Sequence, residues 1–511
     1  MRRLCTLLLA AGLVLGATSG ASAIDFKAKG QWLMGFAVGQ HDLLSRVRDT
    51  GRQKQKVDDA DKFQAAQRVR LQLDAVASES LSGTVFFEIG TQSWGDNDFG
   101  AALGADGNNQ VKVKRAYIDW IVPDTPAKVR MGIQGVALPN AAGGSAIMDT
   151  DVAGVTVAYQ FNENVGLTAL WARPLNDNFA ADRPGARDHA NYLDNMDLFS
   201  IMLPLTFEGV KATPWAMYGI IGKNALKSSW DRNQNRWDSP ITKDGDLTYS
   251  LRPYPALGAT NGGIGGTGKS YGSAFWVGLP VKLTLWDPLN IEFDINYGWT
   301  EGMGRFNYTN SQGLVRRGST ERQGWLAKAL VEYKMDWGVP GVFGWYASGD
   351  NGSPKNGSQR MPSVVPMGNF TSYMGDGNYG WMLQDYGLDY AGTWGVGAQI
   401  RDMSFVQDLS HTFRVAYWGG TNSKSMVKYM DNAYSWQDGL GGGTGPYLTT
   451  KDGLVEFNLV NNYKMYENFD VNLETSYIVN CMDNSTWKKA RNGSFEKQDM
   501  WKVQATFAYS F

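Results

Sequence analysis

Histidine and cysteine are almost missing from this 511-residue chain, which holds three of the first and two of the second. A lipase or protease needs a general base, commonly His, beside a nucleophile or an activated water. His41, His189 and His411 stand near no serine in a recognisable motif, so the pattern points away from an enzyme. No Cys/His cluster offers metal-ligand spacing, and neither a metal nor a cofactor is expected. The oxygen-rich run with Asp96, Asn97 and Asp98 lacks the twelfth-position carboxylate of a calcium loop and reads as a turn. Charge of one sign is not in excess either: 48 Lys and Arg face 50 Asp and Glu. A nucleic-acid binder would carry a basic patch or stripe, so nucleic acid is not an expected partner. After residue 23, no stretch approaches the ~20 apolar residues that a membrane helix requires.

The first 23 residues differ from the rest. Arg2 and Arg3 precede an apolar stretch over residues 4–14, and Ala21, Ser22 and Ala23 make a small-x-small cleavage signature. This is the layout of an export signal, so residues 1–23 are expected to be removed and the mature chain to begin at Ile24. Removal takes Cys5 away and leaves Cys481 without an intramolecular partner. Losing Arg2 and Arg3 moves the formal charge from −2 to −4. Residues 24–511 show no internal boundary and read as one domain.

Period-two alternation runs through that domain. Over residues 68–75, Val69, Leu71, Leu73 and Ala75 take one face, and Arg68, Arg70, Gln72 and Asp74 take the other. Short connections, such as residues 78–80, 123–126 and 162–164, alternate in strict order with long ones near 38–63, 94–110, 174–193 and 222–270. Sorting of this kind places turns on one rim and loops on the other, the plan of a bacterial outer-membrane barrel rather than of a sandwich. Counting the alternating segments predicts an all-β, antiparallel transmembrane β-barrel of 18 strands, or 16 if one weak pair merges, around an aqueous channel. The Gly- and Asn-rich segments 231–270 and 349–390 read as surface loops. Trp120, Tyr159, Trp171, Trp286, Trp299, Trp337 and Tyr463 lie near predicted strand ends, where a girdle of rings would meet the lipid headgroups.

The end of the chain alternates over residues 501–511 and closes on an aromatic residue. Phe507, Tyr509 and Phe511 are therefore expected to form the signal by which the barrel-assembly machinery recognises its clients. The segments at 70–90, 114–123, 129–135 and 154–174, together with this ending, resemble the outer-membrane homotrimeric porins of sulfate-reducing bacteria. The resemblance implies three barrels side by side, each with its own pore, in contact with outer-membrane lipid and lipopolysaccharide.

In a diffusion channel the site is the narrowest part of the lumen. A charged side chain facing lipid at the midplane costs about 2–4 kcal/mol, so Arg68, Arg70, Arg115 and Arg130 are expected inside, as a basic wall. Residues 137–150 form a connection of intermediate length, in the place where a loop would fold into the lumen. Asp149 and Asp151 close it, and with Asp119 they are expected to form an acidic side facing the arginines. The reading is a porin passing ions and small hydrophilic solutes; a channel specific for sugars, phosphate or organic acids is the alternative.

Overall fold

A computed structural model describes residues 24–40, 43–49, 54–57, 62–96, 101–103, 111–176, 195–222, 225, 229–231, 236–238, 251, 269–309, 315–368, 370–372, 390–430, 433, 446–490 and 495–511. The expected export signal, His41, His189 and most of segment 231–270 lie outside these residues.

Eighteen strands make the wall among the described residues, as the alternation predicts, and not sixteen. The first six are β1 (Asp25–Gln40), β2 (Lys62–Ser78), β3 (Leu81–Ser93), β4 (Val111–Ile121), β5 (Ala127–Ala137) and β6 (Asp149–Gln160). Next come β7 (Gly166–Asn176), β8 (Asn195–Met202, continued by Leu205–Phe207), β9 (Val210–Ala212, continued by Trp215–Gly222), β10 (Tyr271–Leu283), β11 (Leu289–Thr300) and β12 (Arg322–Tyr333). The last are β13 (Val339–Ala347), β14 (Thr393–Val406), β15 (Leu409–Gly420), β16 (Gly453–Tyr466), β17 (Phe469–Asn480) and β18 (Met500–Ser510). Each pairs antiparallel with its neighbours, and β1 pairs with both β2 and β18, which closes the sheet. At the seam Phe511 donates its N–H to Gly30 O at 3.1 Å and accepts from Gly30 N at 2.9 Å.

The burial pattern is inverted relative to a soluble sheet. On β18, Lys502, Gln504 and Thr506 are buried inside, while Trp501, Val503, Ala505 and Phe507 turn outward. Exposed apolar residues recur around the wall, among them Leu73, Ile118, Val157, Phe199, Phe275, Ile295, Val342, Val396 and Leu473. Trp120, Tyr159, Trp171, Trp286, Trp337 and Tyr463 are exposed as a girdle requires, whereas Trp299 is half-buried and donates to Glu321 Oε1. A closed barrel leaves no edge unpaired, and its apolar outer face needs a bilayer. The chain is an outer-membrane β-barrel.

One surface-loop expectation is corrected. Segment 349–390 is only partly a surface loop, because residues 358–368 and 370–372 lie inside the barrel. Arg360, Met361, Val364, Phe370, Thr371 and Ser372 are buried there. A polar backbone enters the interior only if its groups find partners. Here Arg322 donates to the carbonyls of Arg360 and Met361 at 2.9 Å each, Arg360 donates to Ala391 O, and Asn458 Oδ1 accepts from Ser372 N at 3.1 Å.

Candidate functional site

The site begins where β5 leaves the wall. Its ladder with β4 holds six pairs, from Ile121↔Lys128 to Ala116↔Ile133, and stops, whereas the ladder with β6 runs for eleven. Gly132 marks the departure with φ 130°, a conformation that side chains disfavour, and a Cβ there would overlap the Ala116 carbonyl oxygen. Gly132→Ala is therefore expected to destabilise the barrel by about 1–3 kcal/mol from backbone strain alone. A shift of its unfolding midpoint in detergent checks this.

Beyond Gly132 the β5–β6 hairpin tucks into the lumen, and residues 138–148 cross it. Leu138, Ile147 and Met148 are buried. Trp215 Nε1 on β9 donates to Pro139 O at 3.1 Å, Tyr390 Oη donates to Gly143 O at 2.6 Å, and Lys328 Nζ on β12 donates to Gly144 O. The two inward segments also bond to one another: Val364 N donates to Ile147 O at 2.8 Å, and Met367 N to Ser145 O at 2.8 Å.

The predicted arginines and aspartates come together, but as pairs. Arg130 Nε and Nη2 donate to the two carboxylate oxygens of Asp119 at 2.6 and 2.8 Å, and the guanidinium lies 4.1 Å from the Tyr117 ring centroid. Arg115 Nε donates to Asp151 Oδ1 at 2.6 Å. Arg70 Nε donates to Glu88 Oε2 at 2.8 Å. Arg68 is partly buried on β2 opposite Gly90, and Asp149, at the start of β6, donates its N–H to Val365 O at 2.8 Å. The expected acidic side facing a basic wall therefore differs from the observed arrangement. Asp119 stands next to Arg130 on the neighbouring strand, and Asp151 is clasped from the β4 side. The physical reason is that antiparallel neighbours share a face, so opposite charges pair within the wall.

Two residues escaped the sequence reading. Strict alternation sends Lys114 outward with Ala116, yet Phe86 pairs with Arg115 and Phe87 with Val113, so Lys114 is the extra residue of a β-bulge. The bulge delivers Lys114 Nζ to Asp151 Oδ2 at 2.6 Å, with Glu88 Oε2 at 4.0 Å. Glu88 was missed as well, although it sits opposite Arg70 in the hairpin register.

The other wall also carries inward charges; Lys282 and Arg401, paired with Glu292 and Glu332, keep 46% and 39% of their side chains exposed, but the pairs that touch the crossing segments are covered. Lys328 and Asp294 are 0% and 1% exposed with Nζ–Oδ2 at 3.3 Å, and Lys502 and Glu474 are each 1% exposed at 3.0 Å. Arg70, Lys114, Arg115 and Arg130 keep 27–39% of their side chains exposed. At the barrel seam Phe507 meets Phe36 and Phe469 edge-on and stacked at 6.1 and 6.4 Å, and Tyr509 stacks on Phe511 at 5.9 Å. Among the described residues, no group of three His, Cys, Asp or Glu side chains is placed to hold a metal.

Comparison with known proteins finds no matching family model and no matching curated protein. Among solved structures, the chain is similar to Pseudomonas aeruginosa OpdQ, with a TM-score of 0.47 and 11% identity over 95% of this chain and 98% of that one. Pseudomonas aeruginosa OpdK with vanillate gives a TM-score of 0.48 and 10% identity over 95% and 98%. Acinetobacter baumannii OccAB3 gives 0.47 and 10% over 95% and 100%.

Proposed function

We propose that the chain forms a water-filled channel for passive diffusion of ions and small hydrophilic solutes across the outer membrane. The observation that carries this reading is the contrast between the two walls. The inward pairs Lys328–Asp294 and Lys502–Glu474, on β11, β12, β17 and β18, lie under the crossing segments, whereas the charges on β2, β4 and β5 stay partly open to solvent. Water and solutes then pass along the second wall, with Arg68, Arg70, Lys114, Arg115 and Arg130 as cations and Glu88, Asp119, Asp149 and Asp151 as their counter-charges. Residues 138–148 narrow the path from the side. Selectivity follows from pore width and the balance of these groups.

Three further readings belong to the same proposal. The resemblance to homotrimeric porins supports a trimer, embedded in outer-membrane lipid and lipopolysaccharide. Residues 1–23 act as the cleaved export signal. Phe507, Tyr509 and Phe511 serve assembly, supported by the place of Phe507 and Tyr509 on the strand that closes the barrel and by the bonds of Phe511 to Gly30 just beyond it.

The test is single-channel conductance of the detergent-purified protein in a planar bilayer under a salt gradient. Steady ohmic steps grouped in threes are expected. Natively folded protein that inserts and gives no steps overturns the channel.

A further inference from the structure

Below the tucked hairpin, on the side of the short turns, the lumen opens into a cavity of about 580 Å³ along the inner face of β5 to β8. The ladders show how its surface is graded. One cross-strand row runs Asp119, Arg130, Thr156, Leu170. The next runs Lys128, Ala158, Thr168, Met202. Over four strands the first passes from a carboxylate and its paired cation through a hydroxyl to an apolar residue, and the second from a cation through a methyl and a hydroxyl to an apolar residue. At about 4.8 Å per strand, β5 and β8 stand about 14 Å apart. A pocket with a few convergent polar groups and an apolar remainder is built for a small molecule with two unlike ends.

The charged end selects the sign of its ligand. Both Asp119 oxygens already accept from Arg130, and that carboxylate has little left to offer a cation. A guanidinium carries five donors in a planar fork. Two are engaged with Asp119, and the half-exposed remainder suits a carboxylate. Lys128 lies two residues away on the same face, exposed. The other carboxylate of the cavity, Glu79, is exposed on the turn at its mouth. At the far end Leu170 and Met202 are buried and apolar.

We propose that this cavity is a subsite for small amphipathic organic monocarboxylates, with the carboxylate on Arg130 and Lys128 and the apolar body against Leu170 and Met202. The proposal rests on the channel reading for its route of access and names a solute class for it.

Phenylacetate is the probe, with phenylacetamide as its uncharged match and acetate as the head without the body. In single-channel recordings of the full chain, phenylacetate is expected to interrupt the current at concentrations about tenfold below either control, a difference worth about 1.4 kcal/mol. The Asp119→Asn/Lys128→Met/Arg130→Met variant, which removes both cations of the subsite together with the aspartate that Arg130 pairs, is expected to erase its advantage over phenylacetamide. Met202→Ser is expected to weaken phenylacetate and leave acetate unchanged. Channels that form normally but respond alike to all three compounds overturn the subsite and leave the channel standing. If the purified protein forms no channels yet binds phenylacetate selectively by ligand-observed NMR, the channel reading fails and the subsite survives. Wild-type protein alone decides this, whatever the variants do to folding.

Discussion

Lys328→Met is expected to destabilise the barrel by about 3–5 kcal/mol, because it leaves the Asp294 carboxylate buried without its counter-charge. Both side chains are fully covered, so bulk solvent cannot reach in to take over the lost contact. The lysine does a second job, since it also donates to the Gly144 carbonyl in the middle of the crossing segment. Its ammonium further lies 5.5 Å from the Tyr390 ring, whose hydroxyl holds the adjacent Gly143 carbonyl. Removing the lysine therefore unpins residues 138–148 at the far wall, and the open-channel current is expected to become noisier as well as the barrel less stable. The double variant Asp294→Asn/Lys328→Met removes both charges. It is expected to recover most of the stability but not the steady current, because the Gly144 carbonyl stays unpinned. Denaturant unfolding in detergent and single-channel noise separate these two roles. Equal destabilisation by the single and double variants would show that the ion pair is not what the lysine contributes.

How much of this arrangement is legible beforehand differs from residue to residue. The faces of Arg68, Arg70, Arg115 and Arg130 follow from alternation, because period two leaves one choice per strand once the apolar residues are placed. One of their partners was within reach too. A short turn sets the register of its hairpin, so the turn at 122–126 that pairs Ile121 with Lys128 must also pair Asp119 with Arg130. The turn after Ser78 alone would set Arg70 opposite Ile89, and a register shift between Val76 and Ser78 brings Glu88 there instead. The position of Lys114 is harder. Nothing local announces a bulge, though a lysine assigned to the lipid face at a cost of about 2–4 kcal/mol was the available signal. The inward placement of residues 358–368 and 370–372 was out of reach. Their Gly, Ser and Pro content is that of a solvated loop, and what draws them inside is a set of partners far along the chain, such as Arg322, 38 positions from Arg360, and Asn458, 86 positions from Ser372. Composition reports local preference, whereas burial of a loop depends on the far wall.

Asp151→Asn carries the largest expected change in selectivity. Main-chain hydrogen bonds between β4 and β5 end at Ala116↔Ile133, so above that point side chains hold the wall to the tucked hairpin. Asp151 is the centre of that junction, taking Lys114 on one oxygen and Arg115 on the other at 2.6 Å each. The fit is close: a Cβ on Gly135 would lie 2.6 Å from the Arg115 guanidinium, so the glycine is what lets the arginine reach across β5. Charge-assisted hydrogen bonds contribute about 1.5–3 kcal/mol, and the half-exposed cations place this cluster at the lower end. The electrostatic consequence is larger than the structural one. Asparagine leaves two half-exposed cations without their shared counter-charge beside the proposed path, and the reversal potential under a salt gradient is expected to move toward anions. Asp151→Glu keeps the charge and is expected to keep the wild-type potential, even where its longer side chain disturbs the contact. Hydrogen exchange of the Leu138 and Val364 amides, which bond within and between the inward segments, reports whether the hairpin has moved. A shifted potential with unchanged exchange assigns Asp151 to selectivity. Faster exchange with an unchanged potential makes it a strut, and the charges beside it then lie off the path that ions take.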